Sequence, residues 1–446
     1  MSGDVKLERT LGLWSVVLFG LAYMTPMIVL GTFGPLAQAS QGTTAMAYLL
    51  AAGAILLTAI SYGMMARVYP VAGSAYTYAR KSISSNIGFL VGWAVLLDYF
   101  FLPMVIWLIG AAYLSSSFPS VPVWVWILAF IGVTTLVNMV GVAFANQVNF
   151  VLMVVQLAVL AAFLALAARY VMAANGPGGL VSVQPFFTGG VPFSASIAGA
   201  AIAAYSFLGF DAVSTMTEET KDPQRTMPKA IIIIALAGGA IFIVASYITQ
   251  LAHPGYQFDS ADAATTEIAK AIGGDIMVTV FLATLVVAQF TSGLAAQASV
   301  GRLLFAMGRD RVLPAAIFGR LHQKWHTPVI NLAIVGIVGL AALDMDVTTS
   351  TSFINFGAFL AFTAVNISVM VLYFKGHPAI KAQGFLLAVI VPAAAAVCDL
   401  LLLFNLDKDA KVLGIVWLGI GIVYLAYLTR FFRKAPPEMV FEEKTA

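Results

Sequence analysis

Residues 205–228 read Y-S-F-L-G-F-D-A-V-S-T-M-T-E-E-T-K-D-P-Q-R-T-M-P. The stretch belongs to a hydrophobic run of membrane-spanning length that begins near Pro192, and it interrupts that run. Ser206, Gly209 and Asp211 stand where a lipid-facing helix carries Leu or Val. A carboxylate at bilayer depth costs roughly 3 kcal/mol or more and by default marks a functional position. Gly209 loosens the helix just ahead of it. The sequence therefore predicts a broken transmembrane helix, with Asp211 near the start of the second half. A half-helix dipole and free N–H groups there favour negative charge. A plainer reading makes Asp211 only the N-cap of that second half, and the two are compatible.

The rest of the chain supports a polytopic all-α membrane protein. Of its 446 residues 61% are hydrophobic and 10% charged, and the mean hydropathy is +0.95, values outside the range of soluble globular proteins. Asp4, Lys6, Glu8 and Arg9 precede an apolar run too long for a signal peptide and without a small-residue cleavage site, so the first helix is expected to be retained. One cysteine, Cys398, excludes an intrachain disulfide and a cysteine-built metal site. His253, His322, His326 and His377 all fall in loops, so no histidine relay crosses the bilayer. Without a nucleophile–base pair or metal ligands at depth, an enzyme is not expected and no cofactor is implied. The spans are too apolar for the continuous polar pore of a channel, and no basic run suggests nucleic acid.

Apolar windows place twelve spans near 13–38, 44–66, 86–114, 122–141, 147–171, 193–217, 229–252, 274–300, 328–345, 350–374, 384–405 and 411–432. With the N-terminus inside, nineteen of the 23 Lys and Arg residues fall on the inner side, and only Arg169, Lys270, Lys408 and Lys411 fall outside. The positive-inside rule then puts both termini in the cytoplasm. Asp259, Asp262, Glu267, Asp275, Asp344, Asp346, Asp407 and Asp409 gather in the outer loops. They form either a mouth that concentrates cations or merely the residue of excluding bases.

The first span, L-F-G-L-A-Y-M-T-P-M-I-V-L-G at 18–31, is interrupted as the sixth is. Pro26 removes an N–H and frees upstream carbonyls, and Gly20, Tyr23 and Thr25 break the apolar face. Two mid-membrane breaks five spans apart, in helices of opposite direction, point to an inverted repeat with a midplane site. The expected division is a segment 1–12, a first repeat 13–171, an external loop 172–192, a second repeat 193–374, two extra helices in 375–432 and a tail 433–446. The loops Tyr69–Ser85 and His253–Ile272 follow equivalent spans on opposite sides and are long enough for short amphipathic helices.

The chain resembles the amino acid–polyamine–organocation transporter superfamily along essentially its whole length. The matching motifs are P-V-A-G-S-A-Y-T-Y-A at 70–79, G-F-L-V-G-W at 88–93, the run F-L-G-F-D through P-K-A-I at 207–231, S-V-G-R-L-L-F-A-M-G-R-D-R-V-L-P at 299–314 and H-Q-K-W-H-T-P at 322–328. Within the superfamily, G-L-A-Y-M-T-P-M at 20–27, L-L-D-Y-F-F-L-P-M at 96–104 and F-I-N-F-G-A at 353–358 look most like the bacterial putrescine importers. The resemblance implies a LeuT-type five-plus-five fold with broken first and sixth helices, a bacterial inner-membrane location and proton-coupled uptake of a small organic cation. Amino acid carriers of the superfamily hold the substrate carboxylate on a glycine-rich first break. Here Tyr23-Met24-Thr25-Pro26 replaces it, with one amide deleted. Some proton-driven relatives carry a lysine in span five, whereas this chain has Asn146, Gln147, Asn149 and Gln156.

The residues themselves describe an amine site. The C-terminal ends of two half-helices, near Ala22 and Tyr205, point inward as partial negative charge. Asp98 and Tyr99 fall near the centre of span three, and Asp98 is read either as a site acid or as an interhelical hydrogen-bond partner. A dication bridging Asp98 and Asp211 would neutralise both, which suits a diamine such as putrescine. The candidate substrate residues are Ala22, Tyr23, Met24, Thr25, Asp98, Tyr99, Tyr205, Ser206, Phe207, Gly209, Phe210 and Asp211, with Phe290 and Phe356 as further lining. Asp98 and Asp211 are also the candidate proton carriers. Thr291 and Ser292 offer sodium ligands as the alternative, although small polar residues there more often pack helices. Glu218 and Glu219, among Lys221, Arg225 and Lys229, are either an inner-gate latch or a solvated charge run. Asp399 lies outside the repeat and is read as structural. An amino acid or monoamine permease of the same superfamily is the competing function, and the oligomeric state is left open.

Overall fold

The computed structural model describes residue 9 and residues 11–71, 74–140, 146–309, 312–325 and 327–438. Within them lie α1 (Leu13–Met24), α2 (Thr44–Val68), α3 (Ser85–Ser117), α4 (Val123–Val140), α5 (Asn146–Asn175), α6 (Phe193–Ala203), α7 (Pro223–Ala252), α8 (Ala264–Arg309), α9 (Val329–Gly339), α10 (Val347–Phe374), α11 (Val391–Phe404) and α12 (Lys408–Leu428). Among the described residues, eleven helical segments are long and apolar enough to cross a membrane, and Val329–Asp344 is a shorter apolar helix. The chain is a multi-pass all-α membrane protein.

The interruptions expected in the first and sixth spans are present. After α1 the helix resumes as Ile28–Gly31 and Phe33–Ala39, and after α6 it tightens into 3-10 turns at Ala204–Phe207 and Ala212–Glu219. Both long loops carry helix: Ser74–Ser82 after α2, and the first turns of α8, which Gly274 (φ 63°) breaks from the span that follows.

α2 packs along α7, and α3 runs through the middle of the bundle against α8 and α10. The breaks of the first and sixth spans are enclosed by these helices. Asn355 on α10 donates from Nδ2 to the Ala201 carbonyl near the end of α6 at 2.7 Å, tying α10 to the sixth span just ahead of its break. Several outer-loop acids turn out to have local work. Asp346 accepts from Thr349 N at 2.6 Å to cap α10, Asp407 accepts from Asp409 N and Ala410 N to cap α12, and Glu267 accepts from Asp259 N and Ser260 N. Helix starts favour such carboxylates, which accounts for part of that acidity without any steering role.

α12 is fastened to α3 by a reciprocal tryptophan pair. Trp93 Nε1 donates to the Trp417 carbonyl and Trp417 Nε1 to the Trp93 carbonyl, each at 2.9 Å, with the rings stacked 5.0 Å apart. Gly421 makes room for this, since a Cβ there would lie 2.4 Å from the Trp93 ring. Trp417→Phe keeps most of the apolar contact and deletes one donor. It is expected to cost about 1 kcal/mol and to lower the melting temperature in detergent by about 2 °C. An unchanged melting curve would mean that the pair does not hold the last helix.

Candidate functional site

The first break forms because Pro26 cannot donate to the helix and Thr25 turns left-handed, at φ 52°. That conformation costs a non-glycine residue about 1–2 kcal/mol. Thr25 N reaches back to the Ala22 carbonyl at 3.2 Å, and Thr25 Oγ1 donates to the Tyr23 carbonyl at 3.4 Å. In the sixth span Gly209 takes φ 116°, and its missing side chain admits the Tyr23 ring: a Cβ at 209 would lie 2.3 Å from Tyr23 Cδ1. The two breaks therefore meet face to face.

One expectation needs correction. The second half of span six is 3-10 rather than α-helical, so Asp211 does not head an α-helix. Its carboxylate turns back on the backbone N–H groups of the break itself, at Gly209, Asp211 and Ala212, and makes no capping bond further into the turn. Three amides gathered at a sharp turn form a pocket for negative charge much as a helix start does.

Asp98 enters from α3, and Asp98 and Asp211 are electrostatic neighbours. Tyr23 and Tyr99 each feel both carboxylates, Tyr205 feels Asp98, and Tyr62 on α2 feels Asp211. Asp98 Oδ1 is buried and has no hydrogen-bond partner. Among the described residues no Lys, Arg or His forms an ion pair with either acid. Two carboxylates within electrostatic reach of Tyr23, Tyr99 and Tyr205, without a paired protein cation among the described residues, make a site for a positive guest with an apolar or aromatic-compatible stem.

A cavity of about 780 Å³ adjoins the breaks. Ala22, Tyr23, Met24, Thr25, Tyr205 and Leu208 line its inner part, and it extends past Ser15, Gln156, Gln289 and Ser292 to Leu11, Arg302 and Trp325. Asp98 and Asp211 are not on its wall; Tyr23 and Tyr205 are. The opposite end of the breaks is packed shut. Thr43 Oγ1 and Ser196 Oγ are 2.8 Å apart, the Leu30 carbonyl accepts from Tyr113 Oη at 2.8 Å and Thr265 Oγ1 at 2.6 Å, and Gly34 abuts the Ala261 carbonyl.

The remaining candidates separate by where packing sends them. Ser206 Oγ is 2.9 Å from Tyr48 Oη on α2 and is engaged there. Phe207 stacks edge-on against Phe242 of α7 at 5.2 Å, and Phe210 sits between Tyr62 at 5.5 Å and Phe362 at 5.2 Å. Both phenylalanines are fully buried and hold the break from behind. Phe356 packs on Gly414 of α12, and Phe290 is half-buried on α8; neither lines the cavity. Thr291 and Ser292 do line it, with Thr291 Oγ1 donating to Val287 O at 2.9 Å and Ala288 O at 3.0 Å. Glu218 and Glu219 carry side chains outside the described residues, as do Asn146, Gln147, Asn149 and Arg309. Nearby, the Lys221 N–H donates to the Leu11 carbonyl at 2.9 Å, tying the chain ahead of α1 to the end of the sixth span.

Gln289 is a residue that sequence reasoning missed. It is 1% exposed, lines the cavity and leaves its Nε2 without a partner, while Gln156 across the same cavity leaves its Oε1 bare. A glutamine one residue before a noted Phe-Thr-Ser run was the available signal. Tyr62 was missed as well; Thr58, Ser61 and Tyr62 share one face of α2 at i, i+3, i+4 spacing.

Comparison with known proteins agrees with this architecture. A family model described as amino acid permease matches residues 15–408. The low-affinity putrescine importer PlaP of Escherichia coli (strain K12) is 41% identical over 438 residues, covering 97% of this chain and 96% of that protein. The branched-chain amino acid permease BcaP of Bacillus subtilis (strain 168) is 28% identical, covering 96% and 94%. Cationic amino acid transporter 4 of Mus musculus is 26% identical, covering 84% and 61%.

Proposed function

The chain belongs to the amino acid permease family, and from that premise we propose that it is a secondary active importer of putrescine or a related small diamine, driven by protons. The observation that carries the substrate class is the pair Asp98 and Asp211, within electrostatic reach of each other and of Tyr23, Tyr99 and Tyr205, and without an ion-pairing cation among the described residues. The 41% identity to a putrescine importer over nearly the whole chain supports the same choice. A first break with Pro26 in place of a glycine-rich amide cradle does not favour a substrate carboxylate.

In this reading both termini are cytoplasmic and the protein lies in a bacterial inner membrane, by the asymmetry of Lys and Arg. The cavity between Tyr23 and Trp325 then opens inward, with the outer path closed by the contacts around Leu30, Gly34 and Thr43. Alternating access exchanges these seals around the two breaks, arranged as a five-plus-five inverted repeat. A cationic substrate also gains about 2.3 kcal/mol per charge per 100 mV from an inside-negative potential.

Purified protein in proteoliposomes tests this, with a panel of labelled amines and amino acids and with proton and sodium gradients imposed separately. Putrescine is expected to accumulate under a proton gradient, with unlabelled diamines competing and leucine or alanine not. Accumulation of an amino acid that putrescine fails to inhibit would replace the diamine reading with that of an amino acid permease.

A further inference from the structure

A third buried acid lies apart from the substrate cluster. Asp399 on α11 is 0% exposed. Its Oδ2 accepts from Thr58 Oγ1 of α2 at 3.0 Å and from Asn366 Nδ2 of α10 at 2.9 Å, and Asn366 Nδ2 also reaches Thr58 Oγ1 at 3.0 Å. Its Oδ1 has no partner, and neither has the Asn366 Oδ1. A carboxylate sealed in this way, with neutral donors on one oxygen and no cation beside it, is a costly choice where an amide would anchor three helices as well. A proton on Asp399 Oδ1 would turn that bare acceptor into a donor, and the bare Asn366 Oδ1 belongs to a side chain already bonded to the same carboxylate.

One side chain packs between the cluster and the substrate site. Tyr62 lies one turn beyond Thr58 on α2, and its hydroxyl is buried and unpartnered. The charges of Asp211 and Asp399 both reach it. Its ring packs on Phe210, beside Asp211, and on Phe362, one turn before Asn366. The groups facing Asp399 are few. Tyr62 does so from α2 and Cys398 from its own helix. The parts of α6 and α10 packed against it, and the π-helical turn Leu386–Ile390 that leads into α11, bring no other titratable or charged side chain.

We propose that Asp399, held by Thr58 and Asn366, carries the co-transported proton, and that Tyr62 links it to the substrate carboxylates. A diamine arriving at Asp98 and Asp211 supplies the charge that a proton on Asp211 would otherwise supply. That proton leaves the Asp211 carboxyl oxygen for the Tyr62 hydroxyl as Tyr62 gives its own proton to the Asp399 carboxylate, so Asp211 ends as a carboxylate, Asp399 as a carboxylic acid and Tyr62 with the atoms it began with. The acid that carries charge balance is then separate from the acids that hold the substrate, so binding and coupling can be disabled independently. This rests on the diamine reading given above.

The test uses the full chain in proteoliposomes and compares putrescine counterflow, which needs binding and alternation only, with accumulation driven by an imposed proton gradient. A pH dye in the lumen reports proton entry with substrate. Asp399→Asn is expected to keep counterflow near wild type, lose gradient-driven accumulation and lose the substrate-dependent pH signal. Tyr62→Phe, which keeps the ring contacts, is expected to do the same, and it carries the test if Asp399→Asn does not fold. Wild-type accumulation or proton entry in both variants overturns the proposal. So does loss of counterflow together with accumulation in Tyr62→Phe, which is what a purely structural role would give, and so does a wild-type protein driven by sodium alone. A wild-type protein with no putrescine counterflow removes the substrate assignment itself and this proposal with it.

Discussion

Asp98→Asn is expected to cut putrescine uptake by about two orders of magnitude while the protein still inserts and purifies as a single species. The substitution keeps the shape and one carbonyl oxygen of the side chain. It breaks no hydrogen bond at Oδ1, because that oxygen has none. What disappears is the negative charge that faces Asp211 and the tyrosines. Removing one member of a buried charge pair costs about 2–5 kcal/mol, and a hundredfold loss corresponds to about 2.7 kcal/mol. The loss should appear in counterflow as well as in gradient-driven uptake, because an ammonium that is no longer held cannot be carried by either route. Uptake within about twofold of wild type would move Asp98 from the substrate site to helix packing. Asp211→Asn should also fall, but it disturbs the turn made with Gly209 and Ala212, so only its comparison with Asp98→Asn separates lost charge from a lost turn.

Much of this was legible before any coordinates, and the part that was not has a common cause. A carboxylate or a proline inside an apolar span is conspicuous because the bilayer makes it expensive, so Asp98, Asp211 and the Thr25-Pro26 break announce themselves. The facing of side chains is different. Helices such as α3 and α10 are surrounded by other helices and apolar on every side, so no period reveals which face looks inward. Phe207 and Phe210 therefore read as site lining, whereas the 3-10 geometry of the break rotates them into the packing against α7 and α10. Tyr62 and Gln289 were hidden for the converse reason. A single polar residue in a long span is common enough to pass as an interhelical contact, and only its neighbours in space give it another meaning. The short helices at Ser74–Ser82 and 264–273 were readable from loop length, since a long connector between packed spans rarely stays without structure of its own.

Gly209→Ala is expected to abolish transport more completely than its size suggests. The added methyl would stand 2.3 Å from Tyr23 Cδ1 and 3.1 Å from two further ring atoms. Because those atoms belong to a rigid ring close to its own backbone, the clash is not relieved by swinging a flexible chain end. At φ 116° an alanine is also strained by about 1–3 kcal/mol wherever the ring goes. Either the Tyr23 ring leaves the seam between the two breaks or Gly209 takes another conformation, and each outcome separates residues that must meet the same substrate. Uptake below about a tenth of wild type is expected, with a lowered melting temperature in detergent. The proper control is Gly53→Ala on the exposed face of α2, where nothing lies within 4 Å of the new methyl. There the change should raise helix stability by about 0.5–1 kcal/mol and leave uptake alone. If Gly209→Ala transports as the control does, contact between the first and sixth breaks is not needed for the cycle. The site would then have to be sought along the cavity between Gln156 and Gln289 rather than at the paired carboxylates.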